Sequence, residues 1–148
     1  GIAFDQSGLG IVHSLASPVC ADLHIPHGLA MAFLLPYGME FNRKARGGRI
    51  AEIGMLLGAV PEGTPQDEAE EKTVQYIIGL RSKLELDDDF REIVGKFDSH
   101  KQETGIGEAD FGKRASGVFL MRNNPVQPTP EESAALFTKM FSEHRVEQ

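Results

Sequence analysis

At 148 residues, with 41% hydrophobic and 25% charged side chains, the chain has the composition of one ordinary globular domain. No apolar run reaches the ~20 residues of a membrane-spanning helix, and a net charge of -7, from 15 basic and 22 acidic residues, opposes binding to a nucleic-acid backbone. The nearest basic cluster, Arg43, Lys44, Arg46 and Arg49, reads as a solvated helix face, and the single Cys20 excludes an internal disulfide and suits a reducing cytoplasm.

The chain opens Gly1-Ile2-Ala3-Phe4, without Met and without the basic segment and apolar core of a secretory signal, and reads as a piece of a longer protein. Over residues 7–21, Ile11, Val12, Leu15, Ala16 and Val19 recur at the spacing of a helix with one buried face. His24-Ile25-Pro26-His27-Gly28 interrupts it, because Pro26 disfavours helical geometry in the residue before it. Residues 29–41 are apolar nearly throughout (Ala30, Phe33, Leu34, Leu35), which predicts a central helix that Pro36 kinks or ends. A third helix is expected over 49–57, carrying Ile50, Ile53, Met55, Leu56 and Leu57 and closing near Gly58.

Thr64-Pro65-Gln66-Asp67 reads as the start of a fourth helix: Thr64 caps, Pro65 suits the first turn, and the acidic run 67–71 complements the dipole. Its expected buried face is Val74, Ile77, Ile78, Leu80 and Leu84. Residues 87–97 predict a short helix with Phe90, Ile93, Val94 and Phe97 inward, and 98–112, with three glycines and mixed charges, a surface loop. Thr129-Pro130-Glu131-Glu132 is a capping box with Pro in the first turn, opening a last helix through Leu136, Phe137, Met140 and Phe141. No segment alternates with period two, so the expected fold is all-α with six or seven helices, one domain over 1–148, and no repeats.

The chemistry-bearing candidates are histidines, of which there are five. His100 and His144 lie in polar or terminal surroundings and are expected at the surface, whereas His13, His24 and His27 bracket the junction of the first two helices. Packing of those helices as an antiparallel pair would let His13 approach His27. Two neutral imidazoles in a helix-lined site make half of a transition-metal centre. Fourteen positions of separation carry no short-range signature, however, and on spacing alone satisfied core or surface histidines are the commoner reading. A mononuclear site needs three or four protein ligands, and the nearest carboxylates are Asp5 and Asp22. Gly105-Ile106-Gly107 is a lone G-x-G with no strand before it and carries no phosphate-site argument.

Longer motifs are more specific. The run Gly8-Leu9-Gly10-Ile11-Val12-His13 within residues 1–16, then Pro26-His27-Gly28 and Leu34-Leu35-Pro36, resembles the iron-containing alcohol dehydrogenases; Asn124-Pro125 and Thr129-Pro130-Glu131-Glu132 look like that family's later N-P segment and closing helix. The resemblance implies the C-terminal helical domain of the iron-dependent alcohol dehydrogenase and dehydroquinate synthase-like fold, whose partner is an N-terminal α/β domain that binds NAD or NADP. It implies a catalytic Fe(II), or Zn(II), held by an Asp and three histidines, with His13 and His27 matching the last two ligands and the first two lying in the other domain. The implied reaction is reversible hydride transfer between a small alcohol and an aldehyde or ketone, in a homo-oligomer, with this piece inactive alone.

Phe4 matches a family position near the substrate pocket, and a plain core phenylalanine reads equally well. Ser17 stands where many members carry a further histidine facing nicotinamide and substrate; a hydroxyl passes a hydrogen bond but does not titrate near neutral pH. Met31-Ala32 is a second departure, bearing on packing beside the site. Cys20 is expected as a small buried side chain and His24 as a surface residue. Two other readings stand beside the dehydrogenase: a non-catalytic helical interaction module descended from the family, favoured by Ser17 and by the missing nucleotide half, and a lyase of the dehydroquinate synthase type, which shares the paired histidines but fits the G-L-G-x-V-H context less well.

Overall fold

The computed structural model describes residues 9–45 and 47–145, and among them the backbone forms seven α-helices, two 3-10 turns and no strand. In chain order the helices are α1 (Ile11–Leu23), α2 (His27–Asn42), α3 (Arg49–Leu56), α4 (Gln66–Lys83), α5 (Asp87–Thr104), α6 (Glu108–Gly117) and α7 (Pro130–Glu143), with the 3-10 turns at Arg43–Ala45 and Phe119–Asn123. The all-α expectation is met. Among the described residues no helix is long and apolar enough to cross a membrane.

Helix α1 takes its start from a distant residue: Ile11 N–H donates to Asn124 Oδ1 at 3.0 Å, which satisfies a donor that a helix N-terminus leaves without an internal partner. It ends at His24, whose φ of 52° is left-handed. Helix α2 packs against it closely, since a Cβ on Gly38 would lie 2.5 Å from Val12 Cγ2. Pro36 does not end α2, which runs on to Asn42. The burial of Phe33, Leu34, Tyr37 and Phe41 on both sides of the proline offsets the lost backbone bond.

Phe33, Phe90, Phe97, Phe111, Phe137 and Phe141 are fully buried and join four helices, α2, α5, α6 and α7, in one aromatic core. Phe97 and Phe141 stack with centroids 3.9 Å apart, and Phe97 meets Phe111 edge-on at 5.2 Å. The capping box of α7 forms as expected: Thr129 Oγ1 accepts from Glu132 N–H at 3.1 Å, and Glu132 returns the bond to Thr129 N–H at 3.0 Å.

Three sequence expectations are corrected. The surface loop over 98–112 is instead the end of α5, a turn, and the start of α6. Gly105, at φ 77°, terminates α5, Asp110 Oδ2 accepts from Gly107 N–H at 2.9 Å to begin α6, and Phe111 is buried. The mixed charges there belong to exposed helix faces, as in the Lys101–Glu108 pair at 2.8 Å.

The second correction concerns faces. Helix α4 buries Ala69, Glu70, Thr73, Val74 and Arg81, with Ile77 and Ile78 half-buried and Leu80 and Leu84 exposed. Helix α3 likewise buries Ile50, Ala51 and Gly54 and leaves Ile53, Leu56 and Leu57 outside. Small residues make the contact between the two helices: a Cβ on Gly54 would collide with Thr73 Oγ1. Third, Thr64 does not cap α4; its hydroxyl donates to the Pro61 carbonyl at 2.8 Å, and the helix begins one residue after Pro65.

Candidate metal centre

His13 lies in the first turn of α1 and His27 is the first residue of α2. The structure brings them together, with ring centroids 5.3 Å apart and planes inclined at 50°. An ion held tetrahedrally at ~2.0–2.1 Å from one nitrogen of each ring would leave the ring centres about 5 Å apart, so the pair has the spacing of two ligands to one metal. Burial, and then the positive charge His27 can carry, push the His13 pKa down. The neutral, metal-binding form is thereby favoured. His13 is half-buried and His27 exposed, which suits a site at the edge of the domain.

Among the described residues no group of three or more His, Cys, Asp or Glu side chains could share a metal ion. The region therefore offers two imidazoles, half of a closed coordination shell. Asp22, the nearer carboxylate candidate, is committed elsewhere. Arg114 grips both its oxygens, the Nη2–Oδ1 bond at 2.9 Å, and His100 Nε2 stands 3.6 Å from Oδ2. The Arg114 hydrogen bond holds the Asp22 carboxyl below the usual carboxylate range. Asp5 and the pocket candidate Phe4 lie outside the described residues.

Ser17, one turn beyond His13 on α1, is exposed and lines a cleft against α6 with Ile106, Asp110 and Arg114. Cys20 is half-buried rather than buried. Its Sγ lies 3.7 Å from His27 Nδ1, and burial pushes its thiol pKa up. The contact went unread in the sequence, yet its signal was present: positions 13, 17 and 20 share one helix face at spacings of four and three.

The other histidines separate. His24 is exposed at its turn, as expected. His100 and His144 are half-buried rather than exposed. His100 is wedged between Asp22 and the Phe111 ring, 6.1 Å away. His144 sits on Phe33 and Phe90 at 5.3 and 5.6 Å, with Tyr37 Oη at 3.1 Å and Arg81 Nη2 at 3.2 Å. Burial, then Arg81, lowers its pKa. Arg81 also donates to the Phe33 carbonyl at 3.0 Å and lies over the Phe90 ring at 4.5 Å, so this cluster is a structural tie between α2, α4 and the end of α7. Its hydrogen-bonded partners are 48 to 107 positions apart in sequence, beyond the reach of any local pattern.

Comparison with known proteins bears on the chain as a whole. A model of the C-terminal part of the Fe-containing alcohol dehydrogenase family matches residues 1–141. The chain is 32% identical over 140 residues to the lactaldehyde reductase of Escherichia coli (strain K12), covering 93% of this chain and 34% of that protein. It is 31% identical over 141 residues to the NADPH-dependent butanol dehydrogenase of Clostridium saccharobutylicum, covering 95% and 35%. The 1,3-propanediol dehydrogenase of Klebsiella pneumoniae is 31% identical over 144 residues, covering 95% and 34%. The chain thus spans about a third of the length of these curated relatives.

Proposed function

Because the chain belongs to the Fe-containing alcohol dehydrogenase family and matches its C-terminal helical domain, we propose that it supplies two metal ligands and part of the substrate pocket of an NAD(P)-dependent alcohol dehydrogenase. The observation that carries this reading is the 5.3 Å approach of the His13 and His27 rings from two different helices. Fe(II) or Zn(II), when bound, supplies Lewis acidity toward the substrate oxygen. His13 and His27 hold the ion as neutral imidazoles, and the remaining ligands, like the NAD or NADP site, belong to the N-terminal nucleotide-binding domain. The tight α1–α2 contact at Gly38 and the Asn124 bond to Ile11 keep the His13-bearing helix in place.

Ser17 can orient a substrate hydroxyl by a hydrogen bond but does not take up a proton near neutral pH. Proton release must then run through water or another group. Phe4, which matches a family position near the substrate pocket, would limit which alcohols fit. Relatives named for lactaldehyde, butanol and 1,3-propanediol make a small alcohol or its aldehyde the substrate class to test, in a homo-oligomer. The domain alone is inactive and self-associates through the face that carries His13 and His27.

The test is functional. Joined to a nucleotide-binding domain of the family, the chain is expected to oxidise small alcohols with NAD or NADP only after loading with Fe(II) or Zn(II). His27→Ala is expected to lower that rate by at least ~100-fold, since loss of a direct ligand exceeds the 10–100-fold cost of losing an outer-shell partner. Turnover that survives both metal removal and His27→Ala would overturn the reading.

A further inference from the structure

An exposed imidazole at the first position of a helix has free rotation about its side-chain bonds and two nitrogens that compete for one proton. A metal needs one nitrogen with a free lone pair, and which nitrogen that is depends on the hydrogen bond made by the other. His27 is such a residue, exposed at the start of α2. Two described side chains of the preceding helix face its ring: His13, with centroids 5.3 Å apart, and Cys20, whose Sγ lies 3.7 Å from Nδ1. That distance suits an N–H donor to sulfur, which accepts whether or not it carries a proton.

We infer that Cys20 is a positioning residue for His27. Its sulfur accepts the Nδ1 hydrogen, fixes the ring across the gap between α1 and α2, and leaves Nε2 as the nitrogen open to a metal. Cys20 is thereby assigned to the outer shell: its sulfur faces Nδ1 of His27, and among the described residues it does not join His13 and His27 in a three-ligand group. The metal half of this inference rests on the function proposed above; the tautomer half does not.

Both halves are testable on the chain as it stands. In the metal-free, 15N-labelled protein at about pH 8, above the ordinary histidine pKa, the ring nitrogen shifts of His27 are expected to report the Nδ1–H tautomer. Cys20→Ala is expected to move His27 to the Nε2–H form that unconstrained imidazole prefers, and Cys20→Ser, whose hydroxyl also accepts, is expected to retain Nδ1–H. In Zn(II) titrations Cys20→Ala should bind about tenfold more weakly than wild type, with Cys20→Ser close to wild type, as for the loss and rescue of an outer-shell partner. An Nε2–H tautomer for His27 in the wild type, or one tautomer shared by wild type and Cys20→Ala, overturns the inference. So does a thiolate charge-transfer band on Co(II) loading, which would make Cys20 a ligand. Failure of the metal reading is distinguishable: Zn(II) binding would then survive in His13→Ala/His27→Ala while the tautomer responses to Cys20 substitution remained.

Discussion

Gly112→Ala is expected to cost about 3 kcal/mol of folding stability and to lower the melting temperature by roughly 6–12 °C, at the 2–4 °C per kcal/mol usual for chains of this size. Helix α6 packs along α7, and the glycine is where the two backbones meet. A Cβ there would lie 2.7 Å from both Ala134 Cα and the Pro130 carbonyl oxygen, and closer still to Ala134 N. All three are backbone atoms, so no rotamer change can relieve the collision, and α7 must move. It carries Phe137, Met140 and Phe141, each fully buried in the aromatic core, so the displacement spreads inward. Gly95, in the middle of α5, is the control: a Cβ there meets nothing within 4 Å, and Gly95→Ala should gain about 0.5–1 kcal/mol from helix propensity. Thermal or urea unfolding measures both. Wild-type stability in Gly112→Ala would mean that the α6–α7 contact is wrong.

The second large effect is expected at Asn124. Its side-chain oxygen accepts from Ile11 N–H at 3.0 Å and from Asn42 Nδ2 at 3.2 Å, while its Nδ2 donates to Asn42 Oδ1 and to the Val126 carbonyl, each at 2.7 Å. The residue is 6% exposed, so water cannot take its place. Four bonds at about 1 kcal/mol net each, with an orphaned buried N–H at the start of α1, put the cost of the near-isosteric Asn124→Leu at about 4 kcal/mol or more. The consequence reaches the site, because Ile11 stands two residues before His13. At temperatures where Asn124→Leu stays folded, its metal affinity should fall as well. A loss under about 1 kcal/mol by urea unfolding would show that the amide is not the clamp described.

The helices were largely legible because their signals are local. Apolar residues at helical spacing located α1 and α2, and the Thr129–Glu132 box located the start of α7. The direction of an apolar face was not legible. In α3 and α4 Ile53, Leu56 and Leu80 stay exposed and Gly54 meets Thr73 instead, a choice made by tertiary packing. Glycines misled for the same reason: of the three that marked 98–112 as a loop, Gly105 and Gly107 bound helices, but Gly112 is a packing contact.

For the site, spacing could not pair His13 with His27. Only the family motifs did, and the structure then brought the rings together. Those motifs also flagged Asn124-Pro125 without revealing what Asn124 holds. That Arg114 holds Asp22 is not legible from sequence, because the two are 92 positions apart. His100 and His144 were misjudged because polar neighbours in sequence say nothing about aromatic neighbours in space.

The most direct measurement is a titration of Fe(II) and Zn(II) into this chain and into His13→Ala/His27→Ala. The expected result is one weak site per chain, roughly micromolar or poorer because two ligands of the shell are absent, and its disappearance in the double variant. Equal binding by the two proteins would mean that the 5.3 Å approach of the two rings is a packing contact and not a metal centre.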